Sequence, residues 1–140
     1  MVMEQLAVEI VGLCREYGEC RVEVERMEEA RRVKNALESV CSMARQRLDI
    51  SDPALLLALL DACEVTRDEG MLQEVLDVVG RNLDRLAVSA ESVKLLACCY
   101  YYVEEEECAE RARSMLEELR KLGMGEEELA DAETILEELT

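Results

Sequence analysis

The residues with most chemistry to offer are seven cysteines: Cys14, Cys20, Cys41, Cys63, Cys98, Cys99 and Cys108. Thiolates hold zinc in sets of four, normally as pairs two to four residues apart and often helped by histidine. This chain has no histidine and no cysteine pair at that spacing, so no metal site is expected. Several of the cysteines fall instead on apolar helical faces, where a thiol behaves as a small hydrophobe. Core packing is their expected role, ahead of an isolated disulfide or a metal. Catalysis finds little support either. Without histidine, a general base must be a glutamate, lysine, tyrosine or thiolate with a strongly shifted pKa, and no spacing marks one. There is no glycine-rich phosphate loop and no Gly-x-Ser-x-Gly elbow. The expectation is no catalytic residue, no cofactor and no enzyme activity.

Two clusters remain. Glu104–Glu105–Glu106–Glu107 could hold a cation or a basic peptide, but four acids at the start of a helix also complement the positive end of its dipole. The second reading is preferred. Tyr100–Tyr101–Tyr102 gathers three of the four aromatic rings, the fourth being Tyr17. Successive helical side chains point roughly 100° apart, so three neighbouring rings cannot all enter one core. Tyrosine favours binding surfaces because it offers area and a hydroxyl at low entropic cost.

The elements that place these residues are helices. Half the chain is apolar, yet it contains no Phe, no Trp and one proline, so leucine, valine, alanine, methionine and cysteine must build the core. Apolar residues return every three to four positions almost throughout. A first helix is expected over about 2–17, with Met3, Leu6, Ala7, Ile10, Leu13, Cys14 and Tyr17 on one face and Gly18 ending it. A second, over about 20–48, carries Val24, Met27, Ala30, Leu37, Val40, Cys41, Ala44 and Leu48 inward, with a break possible near Lys34–Asn35. Asp52 before Pro53 marks the start of a third helix, about 53–68, apolar nearly all round from Leu55 to Leu60. Such a helix is central in a core or half of an interface; burial is favoured.

Gly70 should separate it from a fourth helix, about 71–87, in which Gly80 implies close approach of a neighbour. Ser89 caps a fifth, about 90–102. A turn at Val103–Glu104 leads to a sixth, about 105–122, and Gly123 and Gly125 flank a break before a seventh, about 126–139, which has Leu129, Ala132, Ile135, Leu136 and Leu139. Links this short make sequential helices antiparallel. The layout is one all-helical domain over 1–140, with hairpins over about 2–48, 53–87 and 90–122 and a closing helix over 126–139.

Within residues 89–122, Val93, Leu96, Ala97 and Tyr100 are followed by Ala109 in the order and spacing of a tetratricopeptide repeat, which this stretch resembles. Ala97 and Ala109 are small enough for two helices to cross closely, and Tyr100 fills the gap beside them. Arg113 departs from the pattern, where a large apolar residue is usual, and the other hairpins match the layout more than the signature. The resemblance implies an all-α fold of antiparallel hairpins stacked as a short superhelix. It also implies that Tyr100 packs inward, while Lys94, Cys98, Tyr101 and Tyr102 face the ligand-binding surface.

Charge limits the partners. The chain carries 16 bases and 33 acids, a net −17, which repels phosphate backbones and anionic membranes. Only residues 20–48 are net basic, with seven bases against five acids. No apolar run reaches the roughly 18 residues of a membrane span, and Met1 to Tyr17 lacks a basic leader. The acid excess is read first as solubility and adaptation to heat or high salt, and only second as recruitment of a basic partner. The expected function is a cytoplasmic, non-catalytic module that binds a protein or peptide. A structural homodimer is the alternative, and neither nucleic acid nor membrane is an expected partner.

Overall fold

Asp52 and Pro53 show how this chain starts a helix. The Asp52 carboxylate accepts the Leu55 N–H at 3.1 Å, and Pro53 occupies the first turn, where its missing N–H costs nothing. The computed structural model describes residues 3–139, and of Met3, Glu4, Glu128 and Leu139 it describes the backbone only. The inward placements expected for Met3 and Leu139 lie outside the described side chains. Among the described residues the chain forms α1 (Met3–Cys20), α2 (Met27–Arg45), α3 (Pro53–Thr66), α4 (Glu69–Arg81), α5 (Ala90–Val103), α6 (Glu106–Lys121) and α7 (Glu126–Leu139). Short 3₁₀ turns precede α2 and α5, and none of the described residues forms a strand. The all-α class expected from the periodicity is the class observed.

The helices gather into two compact units, Met1–Val75 and Leu76–Thr140, divided within α4. In the first, α1 packs on both α2 and α3. Leu6, Ile10, Leu37, Leu55, Leu56 and Leu59 are almost wholly excluded from water there. In the leucine run of α3, Leu55, Leu56, Leu59 and Leu60 are core and Leu57 is half-buried. Arg45 on α2 reaches the start of α4 through Glu74, with Nε donating to Oε2 at 2.9 Å, and also faces Asp68 at 3.5 Å. In the second unit, α5 packs on α6 and α7. Val93, Leu95, Leu96 and Ala97 meet Ala109, Ala112, Met115 and Leu116 at zero or near-zero exposure. The small residues expected to permit a close helix crossing are buried in this unit.

Several local expectations are corrected. Gly18 does not end α1; the helix runs to Cys20, whose buried side chain anchors the last turn, and Arg21 N–H still donates to Tyr17 C=O at 3.0 Å. The interruption in the second segment falls at residues 21–23, and α2 is continuous through Lys34–Asn35. Val24 and Met27, on the near side of that interruption, are 87% and 55% exposed instead of inward.

Gly70 lies inside the first turn of α4. The stop before it is made by Arg67 in the left-handed region (φ 58°) and by Asp68, whose carboxylate caps Met71 N–H at 3.0 Å. A Cβ at Gly80 would meet nothing within 4 Å, so close helix approach does not explain that glycine. The later punctuation is as expected. Ser89 Oγ accepts the Ser92 N–H at 3.1 Å, Glu104 closes α5 at φ 52°, and Gly123 takes φ 81°, a conformation that favours glycine.

Candidate functional site

The thiols come first, because their environments decide whether they can react. Cys14, Cys20, Cys41, Cys63, Cys99 and Cys108 are buried, Cys98 is half-buried, and no disulfide joins any of them. Burial pushes the Cys14 thiol up to about 11, with the Asp61 carboxylate adding to it. Cys41 and Cys63, on α2 and α3, are pushed up to about 12, chiefly by burial; Cys14 and then Asp68 add to the shift of Cys41, and Asp68 and then Cys41 to that of Cys63. Cys99 is raised further still by burial. A nucleophilic thiol needs the opposite shift. These groups stay protonated at neutral pH and pack as small hydrophobes, as the spacing suggested. Among the described residues no group of three or more cysteines and carboxylates could hold a metal ion.

A recess of about 210 Å³ lies in the first unit, lined by Glu38, Cys41, Ser42, Arg45, Thr66 and Asp68 among others. It is smaller than the usual ligand cleft. Much of its polarity is already committed: Arg45 to Glu74 and Asp68, Asp68 to the α4 cap, and the Thr66 hydroxyl to Ala62 C=O at 2.7 Å. The Arg45 hydrogen bond also holds the Glu74 carboxyl below its ordinary range.

The tyrosine cluster presents a different surface. On α5, Lys94, Cys98 and Tyr101 follow one another at spacings of four and three, so they share one helical face, and Tyr102 lies at its edge. Tyr101 is 63% exposed, while Lys94, Cys98, Tyr100 and Tyr102 are half-buried. Tyr100 thus straddles core and surface rather than entering the core fully. The Tyr101 and Tyr102 rings meet edge to face, with centroids 5.2 Å apart and planes at 78°. This arrangement favours the ring quadrupoles and fixes the orientation of the exposed ring. Lys94 Nζ stands 3.9 Å from an Asp131 carboxylate oxygen on α7, so the one cation of this face is already partly neutralised.

Beyond Tyr101 the chain turns through the acid run. Glu104 and Glu105 are exposed in the link, and Glu106 begins α6 and reaches Arg113 at 3.4 Å. Glu105, which precedes the first residue of α6, makes no side-chain capping bond. Only Glu106 and Glu107 occupy the first turn, so the dipole accounts for half of the run. The whole second unit carries seven bases against seventeen acids between 76 and 140, a net −10.

Sequence reasoning did not single out the tip between α1 and α2, where Val22 and Val24 are exposed beside Met27. The alternating apolar residues of Val22–Glu23–Val24 were the available signal, hidden by assigning the stretch to a continuous helix. No family model matches the sequence, and no curated protein or solved structure matches it. Among the described residues no helix is long and apolar enough to cross a membrane.

Proposed function

We propose that this chain is a non-catalytic interaction module that holds a protein or peptide segment against the α5 face bearing Lys94, Cys98, Tyr101 and Tyr102. The observation that carries the reading is the exposure of Tyr101. A chain with four aromatic rings leaves one of them largely in water, braced edge to face by its neighbour. An ordered ring loses little conformational entropy when a partner covers it.

Two further observations support the reading. The buried thiols are held protonated, which removes the best nucleophiles in a chain without histidine. In each unit the first helix packs on the next two, α1 on α2 and α3, and α5 on α6 and α7, the pattern that repeating tetratricopeptide-like hairpins produce. The acid excess disfavours nucleic acid and anionic membrane as partners, and seven cysteines with no disulfide among them suit a reducing, cytoplasmic setting. The test compares interactions of the wild-type chain with those of the Tyr101→Ala, Tyr102→Ala double variant. Loss of a partner by the folded double variant supports the assignment; retention of every partner overturns it.

A second reading, self-association, has its own observation in the exposed Val22, Val24 and Met27 at the α1–α2 tip. Light scattering across concentration separates the two. A strict monomer removes the second reading, and a dimer dispersed by Val24→Glu supports it.

A further inference from the structure

The α5 face has a chemical bias that narrows its partner. An exposed tyrosine face attracts a cation held within about 6 Å of the ring centroid, an arginine more often than a lysine. The flat, weakly hydrated guanidinium can stack on the ring while its N–H groups reach carboxylates at the rim. This molecule supplies both halves. Tyr101 is exposed and fixed in orientation by Tyr102, and Glu104 and Glu105, both exposed, follow three and four positions later, where the chain leaves α5. Among the described residues neither carboxylate has an ion-pair partner, whereas Glu106 is engaged by Arg113. The cation already on the face, Lys94, has Asp131 beside it. The chain also makes such a contact internally: the Arg21 guanidinium lies 5.8 Å from the centroid of Tyr17.

We infer that the segment held on α5 presents an arginine, whose guanidinium stacks on the Tyr101 ring and pairs with the carboxylates of Glu104 and Glu105. This rests on the α5 reading above and gives the partner its chemistry: a basic, arginine-bearing peptide segment. The net −10 of the second unit draws such a segment in, and the ring and rim select arginine from other cations.

The experiment uses the full chain with ¹³C-labelled tyrosines and three glycine–serine peptides that differ at one central residue: arginine, lysine or citrulline. Citrulline keeps the planar shape and removes the charge. Titration followed by ring chemical shifts should move Tyr101 most. Affinity should fall about fivefold or more from arginine to citrulline, and should be lower for lysine than for arginine. Tyr101→Ala should weaken the arginine peptide about two- to fivefold, the value of one exposed cation–π contact, while Tyr101→Phe stays within about twofold. Glu104→Gln with Glu105→Gln should weaken it about threefold, as paired exposed carboxylates do.

Equal binding of all three peptides, undiminished binding by Tyr101→Ala, or shifts centred on Tyr17 would overturn the inference. The outcome also separates it from the reading it rests on. A natural partner lost by the Tyr101→Ala, Tyr102→Ala variant but indifferent to replacement of its own arginines refutes the arginine contact and leaves the α5 face standing. A double variant that keeps every partner removes the face itself.

Discussion

Raising the pH from 8 to 10 should destabilise this protein steeply, and the buried thiols of the first unit give the size of the effect. Cys14, Cys41 and Cys63 have folded-state values of about 11, 12 and 12, against an ordinary 9.0. The direction follows from proton counting. Between pH 9 and 11 the unfolded chain has released these three protons and the folded chain has kept them, so folding takes up protons and loses stability as pH rises. The contribution is fully present below pH 9, the unfolded value, and is lost progressively until the folded thiols themselves ionise.

One proton of difference amounts to about 1.4 kcal/mol per pH unit, so three thiols cost about 4 kcal/mol by pH 10. A chain of this size holds roughly 7–20 kcal/mol in total, and such a loss is easily read. Urea titrations at pH 8, 9 and 10, under reductant and followed by circular dichroism, measure it. Lysines and tyrosines titrate in the same range, so the decisive comparison is with Cys14→Ala, Cys41→Ala, Cys63→Ala. That variant is less stable at pH 8, but its stability should fall more gently by about 4 kcal/mol between pH 8 and 10. Parallel curves for wild type and variant would show that the thiols do not resist ionisation in the folded state, and the argument for their inertness would fail.

Three more outcomes test the packing. Leu59→Ala, at a fully buried α3 position, should cost about 2–5 kcal/mol through lost transfer energy and a residual cavity. Leu122→Ala, 79% exposed, should stay within about 0.5 kcal/mol; urea midpoints compare the two, and equal costs would contradict the assigned core. Gly12→Ala lies inside α1 with nothing within 4 Å of the new Cβ, so thermal unfolding should show a gain of about 0.5–1 kcal/mol. Asp52→Ala removes the acceptor for Leu55 N–H and should cost about 1 kcal/mol of denaturant stability, with Asp52→Ser or Asp52→Asn restoring most of it.

Helix identity was legible wherever one residue type can do a local job. Asp52 with Pro53, Ser89 and Gly123 each satisfy or bend the backbone through chemistry visible in the sequence, and each does so in the structure. Glycine alone misled. Gly18 and Gly70 looked like stops, but a glycine inside a helix costs only about 1 kcal/mol, less than burying the side chains around it returns. Cys20, beyond Gly18, and Met71, beyond Gly70, are both buried. The break at residues 21–23 was invisible because Val22, Val24 and Met27 continue the apolar count while the chain turns them outward.

The candidate site was legible in part. Three adjacent tyrosines must diverge around a helix, which required at least one to leave the core; the resemblance placed Tyr101 and Tyr102 outward and Tyr100 inward, whereas Tyr101 alone of the three is largely exposed and the other two are half-buried. The brace from Tyr102 and the neutralisation of Lys94 by Asp131 on α7 depend on side-chain conformations and on a packing partner some 37 residues away. No local pattern encodes either.

The α5 surface can be interrogated directly by placing a photo-crosslinking amino acid at position 101 and, in a second protein, at position 122. Both sites are well exposed, but Leu122 lies outside the tyrosine face. Irradiation in a native lysate should give discrete adducts from position 101, competed away by an arginine-bearing peptide, and none of these from position 122. The same adducts from both positions, or adducts from position 122 alone, would contradict the assignment of α5 as the binding face.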